Sequence, residues 1–225
     1  MSLDALLFDL DGTLVHTDPL HFVAWRAMLA AYGIEIDEAG YAREVSGRHN
    51  PEIVADLLPH LNEDEGRRFA SQKEARFREV AEAALRPLPG VREVLARARA
   101  AGVATAVVTN APRENAEFML RALGLADAFD ALGIGEEAAA AKPDPAPYAE
   151  MLEHLGVGPE AALAFEDSPS GVASARGAGL TVIGLTTTQS AATLSRHGVR
   201  LAVRDFLDAR LWDGPLAQLR GPAGR

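Results

Sequence analysis

Asp9 and Asp11 stand two residues apart in Phe8-Asp9-Leu10-Asp11-Gly12-Thr13, at the end of the apolar run Ala5 to Phe8. The run reads as a buried strand, and in a strand an i, i+2 spacing turns both carboxylates to one side. A tight turn at Gly12 leaves them facing one small volume. Two like charges about 4 Å apart repel by roughly 4 kcal/mol at an effective dielectric of about 20, so the pair asks for a cation or a shared proton. Taken alone, the two acids could equally solvate the mouth of a strand and cap the following turn.

Other polar groups follow apolar runs further along. Thr109-Asn110 closes the run from Val103, Glu166-Asp167-Ser168 closes the run from Ala161, and Lys142 stands in an extended Lys-Pro step before a helix. Singly, each has a local explanation as an N-cap, a turn or a solvated side chain. Together they suit phosphoryl transfer. Three or four carboxylates around a phosphate dianion require counter-charge, which a hard divalent ion with oxygen ligands, Mg²⁺, supplies. Lys142 adds a further positive charge, and the Thr109 hydroxyl with nearby backbone N–H groups can donate to phosphate oxygens.

The elements that must position these groups are legible from periodicity. After the first strand, Asp18-Pro19 is read as the start of a helix, with Asp18 as N-cap and Gly33 as the stop. Its apolar face is taken as Leu20, Val23, Ala24, Ala27, Met28 and Ala31. Residues 37–85 continue as helical, charge-rich sequence, so 17–85 is expected to be an all-helical insertion. Arg86-Pro87-Leu88-Pro89-Gly90 then returns the chain to the core. Helices at 91–101, from Pro112 and over Pro145 to Leu155 alternate with strands Val103 to Thr109, Leu132 to Ile134 and Ala161 to Phe165. A helix from Ser170 and strands Leu180 to Leu185 and Leu201 to Val203 complete the pattern. Apolar strands separated by helices predict an α/β, Rossmann-like parallel sheet covered on both faces, built from 1–16 and 86–225. In such sheets ligands lie beyond the carboxyl ends of the strands, where strand order reverses.

Composition sets bounds. The 225 residues carry a net charge of −10, which disfavours nucleic acid or an anionic membrane as partner. With no cysteine, disulfides, thiolate metal sites and cysteine nucleophiles are excluded. No signal peptide or stretch of 18 apolar residues is read, so a cytoplasmic protein is expected. Separately, the phosphoryl-transfer inventory makes a small phosphorylated metabolite the expected partner, and a monomer is expected.

In order along the chain, Asp9-x-Asp11-Gly12-Thr13, Thr109-Asn110, Lys142-Pro143 and Glu166-Asp167-Ser168 resemble the four motifs of the haloacid dehalogenase superfamily. The likeness is to the group with a helical cap between the first two motifs, and it covers nearly the whole chain. It implies Asp9 as the nucleophile that forms an aspartyl-phosphate, with Asp11 as general acid and then general base. It further implies Mg²⁺ held by Asp9, the Asp11 carbonyl and Asp167, with Glu166 helping directly or through water. That division of labour is chemically coherent: one carboxylate attacks while its neighbour supplies and later removes a proton. Asp11 must then start protonated, with the charge of Asp9 as one cause of a raised pKa.

Within the insertion, Ser46-Gly47-Arg48-His49-Asn50 is a polar loop, and His21, Gly47, Arg48 and Lys73 are candidate substrate contacts. Against that, His21 would serve equally as a core histidine, and Lys73 lies in a charged stretch where solvation is the default. The cap loop, Lys73-Glu74-Ala75, Thr109 to Ala116 and Phe165 to Gly171 look most like sugar-phosphate phosphatases of this group. The related β-phosphoglucomutase also uses a cap histidine and arginine, so a mutase stays open. Asp11 argues against a dehalogenase or phosphonate hydrolase. A phospho-accepting receiver-like domain, the reading from another class, would not need the insertion. Hinges are expected near His16-Thr17 and Leu85 to Leu88.

Overall fold

Strand β1 (Ala5–Phe8) leads into four helices, α1 (Asp18–Ala30), α2 (Glu38–Glu44), α3 (Asn50–Leu57) and α4 (Glu63–Ala81). Thereafter helices and strands alternate as α5 (Val91–Ala101), β2 (Ala104–Thr109), α6 (Arg113–Ala122), β3 (Ala131–Ile134), α7 (Ala146–Leu155) and β4 (Ala162–Glu166). Next come α8 (Pro169–Gly177), β5 (Thr181–Leu185), α9 (Ala191–Arg196), β6 (Leu201–Val203) and α10 (Ala209–Trp212). This computed structural model describes residues 3–46, 48 and 50–219. The chain forms two compact units: Thr17–Leu85 is one, and the chain before and after it is the other.

The six strands make one parallel sheet in the order β3-β2-β1-β4-β5-β6. From β1 the chain steps outward to β2 and β3, then returns to lay β4 on the other side of β1. Strand order therefore reverses between β1 and β4, which is where an open parallel sheet leaves a crevice.

The two faces of the sheet differ by design of the sequence alternation. One carries Ala5, Leu7, Ala106, Val108, Ala162 and Ala164, and its small side chains admit Tyr148 and Met151 of α7 and Val172 and Ala175 of α8. On the other, the Phe8 and Phe165 rings stack at 4.9 Å, 8° from parallel, with Phe206 tilted against both. These rings lie one residue before Asp9 and Glu166, so they anchor the strand ends that bear the acids.

The helical unit has its own core around Trp25, Leu29, Tyr41, Ile53 and Phe69. Its longest helix, α4, starts on a capping box in which the Asn62 side chain accepts from Glu65 N–H and Glu65 answers to Asn62 N–H.

Several local expectations shift. Asp18 is the first residue of α1, and Thr17 takes the N-cap position. The Asp18 carboxylate instead accepts from Tyr41 OH at 3.0 Å and Ser46 Oγ at 2.9 Å, tertiary bonds that outcompete the local cap. The buried stripe of α1 is Ala24, Trp25 and Leu29, while Ala27 and Ala31 are exposed, because the large side chains decide which face is worth burying. Helices α9 and α10 were not foreseen, being too short to show a period. Leu216 and Leu219 of the Gly/Pro-rich tail are buried; its last residues, from 220, lie outside the described residues.

Phe165→Ala should destabilise the sheet unit by about 3–5 kcal/mol, the usual range for losing a buried phenylalanine. Urea unfolding followed by tryptophan fluorescence measures it, and a loss under about 1 kcal/mol would show that the ring stack does not hold the strand ends.

Candidate active site

Register brings the site together. Phe8 is level with Val107 of β2 and with Phe165 of β4. One residue further on, Asp9, Val108 and Glu166 are therefore level across three neighbouring strands. The Lys142 ammonium enters at that level. Its Nζ donates to Asp9 Oδ1 at 2.8 Å, to the Val108 carbonyl at 2.7 Å and to Glu166 Oε1 at 2.6 Å. An ammonium has three protons, and all three are used.

Lys142 is held by its backbone as well. Its N–H donates to Asn110 Oδ1 at 3.1 Å, and Asn110 Nδ2 donates back to the Lys142 carbonyl at 3.0 Å. Thr109 makes a local turn, its Oγ1 accepting from Ala111 N–H at 3.0 Å, and a hydroxyl that accepts there keeps its own proton as a donor.

Glu166 is fully buried, and Tyr148 OH donates to its Oε1 at 2.7 Å while Ser168 Oγ lies 3.3 Å from Oε2. Ser168 also caps α8, accepting from Gly171 N–H at 3.1 Å, so cap and acid site coexist in the same four residues. A Cβ at Gly171 would fall 1.9 Å from Glu166 Oε2, so only glycine lets the helix approach this closely. Asp167 accepts at Oδ2 from Thr188 Oγ1. On the β1 side, Gly12 turns the chain at φ +81°, and a Cβ there would lie 2.1 Å from Asp167 Oδ2. Thus Asp9 and Asp167, on different strands, meet at one place.

Carboxylate oxygens of Asp9, Glu166 and Asp167 lie within 4.8 Å of one another, all in buried residues. Three buried carboxylates against one ammonium leave two negative charges uncompensated, the charge of one divalent cation. An all-oxygen donor set is what a hard cation takes. Glu166 already receives Lys142, Tyr148 and Ser168, so Asp9 and Asp167 are better placed to ligate than Glu166.

The electrostatics without a cation show the same imbalance. Burial pushes the Asp9 carboxyl up to about 7; Lys142 opposes this, whereas the Glu166 and Asp11 charges add to it. Asp167 is driven well above the usual carboxylate range by burial and then by Asp9 and Glu166. For Lys142 burial alone would favour the neutral amine, but Asp9 and Glu166 outweigh it and keep the ammonium charged. Tyr148 is held as the phenol by burial and by the neighbouring Glu166 charge.

In the helical unit, Lys73 is buried, which overturns its default as a solvated charge. Phe69, Lys73, Phe77 and Ala81 recur every fourth residue on the inner face of α4, so the lysine is turned inward with its aromatic neighbours. Nζ donates to Glu74 Oε1 at 2.8 Å and lies 3.0 Å from His21 Nδ1. An ammonium can only donate, so Nδ1 accepts and the ring proton sits on Nε2. The His21 ring stacks on Phe77 at 3.9 Å, and Asn50 Nδ2 donates to Glu74 Oε1 at 2.5 Å. Burial opposes the Glu74 charge most, but Lys73, His21 and Asn50 together outweigh it and hold the carboxyl below its usual range. Arg48 donates to Asp56 at 2.5 Å and to the Glu44 carbonyl at 2.9 Å, joining α2 to α3. Gly47 lies outside the described residues.

Residues 3–179 match the family model described as haloacid dehalogenase-like hydrolase. The chain belongs to this family. It is 34% identical over 210 residues to validoxylamine A 7'-phosphate phosphatase of Streptomyces hygroscopicus subsp. limoneus, covering 91% of this chain and 94% of that protein. It is 35% identical over 183 residues to a phosphorylated carbohydrates phosphatase of Thermotoga maritima, covering 79% of this chain and 82% of the relative. The crystal structure of CbbY from Rhodobacter sphaeroides in complex with phosphate superposes with a TM-score of 0.81 at 30% identity, covering 92% of this chain and 96% of that one.

For a haloacid dehalogenase-like hydrolase, three groups at this centre escaped the sequence reading. Tyr148 sits on a buried helix face and reads as core. Thr187 and Thr188 carried a usable signal: three consecutive threonines, Thr186 to Thr188, directly follow the apolar run ending at Leu185, at the carboxyl end of a strand. None of the described helices is long and apolar enough to cross a membrane.

The raised acids set a pH dependence. With folded pKa values above the unfolded ones, Asp9 and Asp167 bind more protons in the folded metal-free chain. Stability therefore falls as pH rises from about 4; the Asp9 part of the penalty is complete above its value of about 7, and the raised Asp167 carboxyl acts in the same direction. The raised Lys142 and the lowered Glu74 contribute evenly between pH 5 and 8. In EDTA, urea unfolding should give a lower stability at pH 8 than at pH 5, by a few kcal/mol at most. Added Mg²⁺ should restore more at pH 8, since at pH 5 the cation must displace protons; an equal Mg²⁺ effect at both pH values would contradict this.

Proposed function

We propose that this chain is a Mg²⁺-dependent phosphatase of small phosphomonoesters, with sugar phosphates as the substrate class, working through an aspartyl-phosphate on Asp9. The observation that carries the reading is the buried set of Asp9, Glu166 and Asp167 with a single ammonium, Lys142, two positive charges short of neutrality. The phosphatase names of the relatives and their high coverage support the same class of reaction.

In the proposed reaction Asp9 attacks phosphorus, the bond from phosphorus to the ester oxygen breaks, and Asp11 gives its proton to the departing alkoxide. Water then attacks the aspartyl-phosphate, Asp11 takes a proton from it, and the phosphorus–Asp9 oxygen bond breaks to release phosphate. Asp9, the Asp11 carbonyl and Asp167 would hold Mg²⁺. When bound, it supplies the missing positive charge beside the transferring group. The three protons of Lys142 are committed to Asp9, Val108 and Glu166, so its contribution to the phosphoryl group is charge and the orientation of Asp9. Thr109 and Asn110 complete the phosphate site in this reading.

The helical unit is assigned the role of a cap that selects the substrate through Arg48 and His21. Lys73 and Glu74 fix His21 on its Nδ1 side and so orient the ring that this reading assigns to the substrate. Gly47 is assigned to the same loop.

Asp9→Asn should lower kcat by roughly 10⁴-fold or more while leaving the circular dichroism spectrum unchanged. Near-normal phosphate release in that variant removes Asp9 from the role. A screen of sugar phosphates with Mg²⁺ should liberate inorganic phosphate. Conversion of β-glucose 1-phosphate to glucose 6-phosphate with little free phosphate would instead make the enzyme a mutase. Arg48→Ala should raise KM for the best substrate several-fold; unchanged kinetics would exclude the cap contact.

A further inference from the structure

The segment Thr186-Thr187-Thr188 follows β5 at the carboxyl edge of the sheet, and each of its hydroxyls ties a different part of that edge. Thr186 donates to the Val203 carbonyl at the end of β6 from both its N–H, at 2.9 Å, and its Oγ1, at 3.3 Å. Thr187 Oγ1 donates to the Gly12 carbonyl in the turn after β1. Thr188 Oγ1 reaches the Asp167 carboxylate at Oδ2 and the Asp167 carbonyl at 3.2 Å. The two partners so held, Gly12 and Asp167, approach each other closely, so that a Cβ on Gly12 would strike Asp167 Oδ2.

We infer that Thr187 and Thr188 are positioning residues that clamp the Asp11-Gly12 turn and the Asp167 carboxylate at a fixed separation, and so set the affinity of a divalent-cation site between the β1 and β4 ends. The inference rests on the metal-dependent reading above and adds to it a third strand, β5, that contributes no ligand. The physical reason is preorganisation. A turn and a carboxylate on separate strands must converge on one ion, and two short, half-buried hydroxyls from a single tethered segment remove their freedom to part. A hydrogen-bond partner of a ligating carboxylate also orients the oxygens it leaves for the cation.

Calorimetric titration of the full chain with MgCl₂ at pH 8, without substrate, tests this. Thr188→Val and Thr187→Val each keep side-chain volume and remove the hydroxyl; each should weaken Mg²⁺ binding by roughly 10-fold or more. Thr188→Ser restores the hydroxyl and should bind within about threefold of wild type, the fold-change left when the hydrogen bond is kept. Melting in EDTA should stay close to wild type for the valine variants, since the clamp acts on the cation site and not on the core. Thr188→Ala serves if a valine variant does not fold. Wild-type-like Mg²⁺ affinity in both valine variants, or equal losses in Thr188→Ser and Thr188→Val, overturns the clamp and leaves the phosphatase reading intact. No Mg²⁺ binding by the wild type overturns both.

Discussion

One buried ammonium shared by two carboxylates organises the catalytic unit. Lys142 Nζ bridges Asp9, just after β1, and Glu166 at the end of β4 and donates its third proton to β2 at Val108. A buried charge is tolerated only when paired and hydrogen-bonded. Here one cation meets that demand for two strands at once and makes their relative register matter. Slipping either strand by one residue would turn its acid to the aromatic face and leave the lysine facing apolar side chains. Asn110 and Tyr148 serve the same centre, one holding the lysine backbone and the other holding Glu166.

That pairing is deliberately incomplete in charge. Asp167 adds a further buried carboxylate to which no cationic side chain donates among the described residues, and burial together with the neighbouring carboxylates drives Asp9 and Asp167 both upward in pKa. A core that only needed stability would have paired or omitted the extra acid. A centre that must accept a divalent ion beside a phosphoryl group has reason to keep it. Cation binding then offsets a cost already present in the folded chain, and proton release accompanies it.

The helical unit solves a related problem differently. Lys73 and Glu74 are neighbours in sequence and neutralise each other within the unit's interior, against Trp25 and Phe77 and beside His21. This buried pair is balanced, in contrast to the centre at the sheet edge, and the effect is to fix the tautomer of one histidine. The two units thus use buried ion pairs for different ends: one leaves a charge deficit, the other orients a ring.

Much of this was legible in the chain itself. Periodicity marked the six strands, because buried parallel strands are continuous apolar runs, and the Pro-rich step at 86–90 marked the return to the sheet. Residue types at the strand ends marked Asp9, Glu166 and Asp167, and the Lys-Pro step before a helix marked Lys142; the structure brings these four together. What escaped were properties that belong to pairs distant in sequence. The inward turn of Lys73 depended on which face of α4 the other helices covered, and Asp18 gave up its cap to Tyr41 and Ser46. Tyr148 became a ligand of Glu166 because alanines at Ala162 and Ala164 leave room on one face, and Thr188 found Asp167 because β5 lies next to β4. Residue type and spacing determined which groups were available for chemistry; only the folded register decided which of them share a proton or a charge, since those bonds form between segments separated by tens to more than a hundred residues.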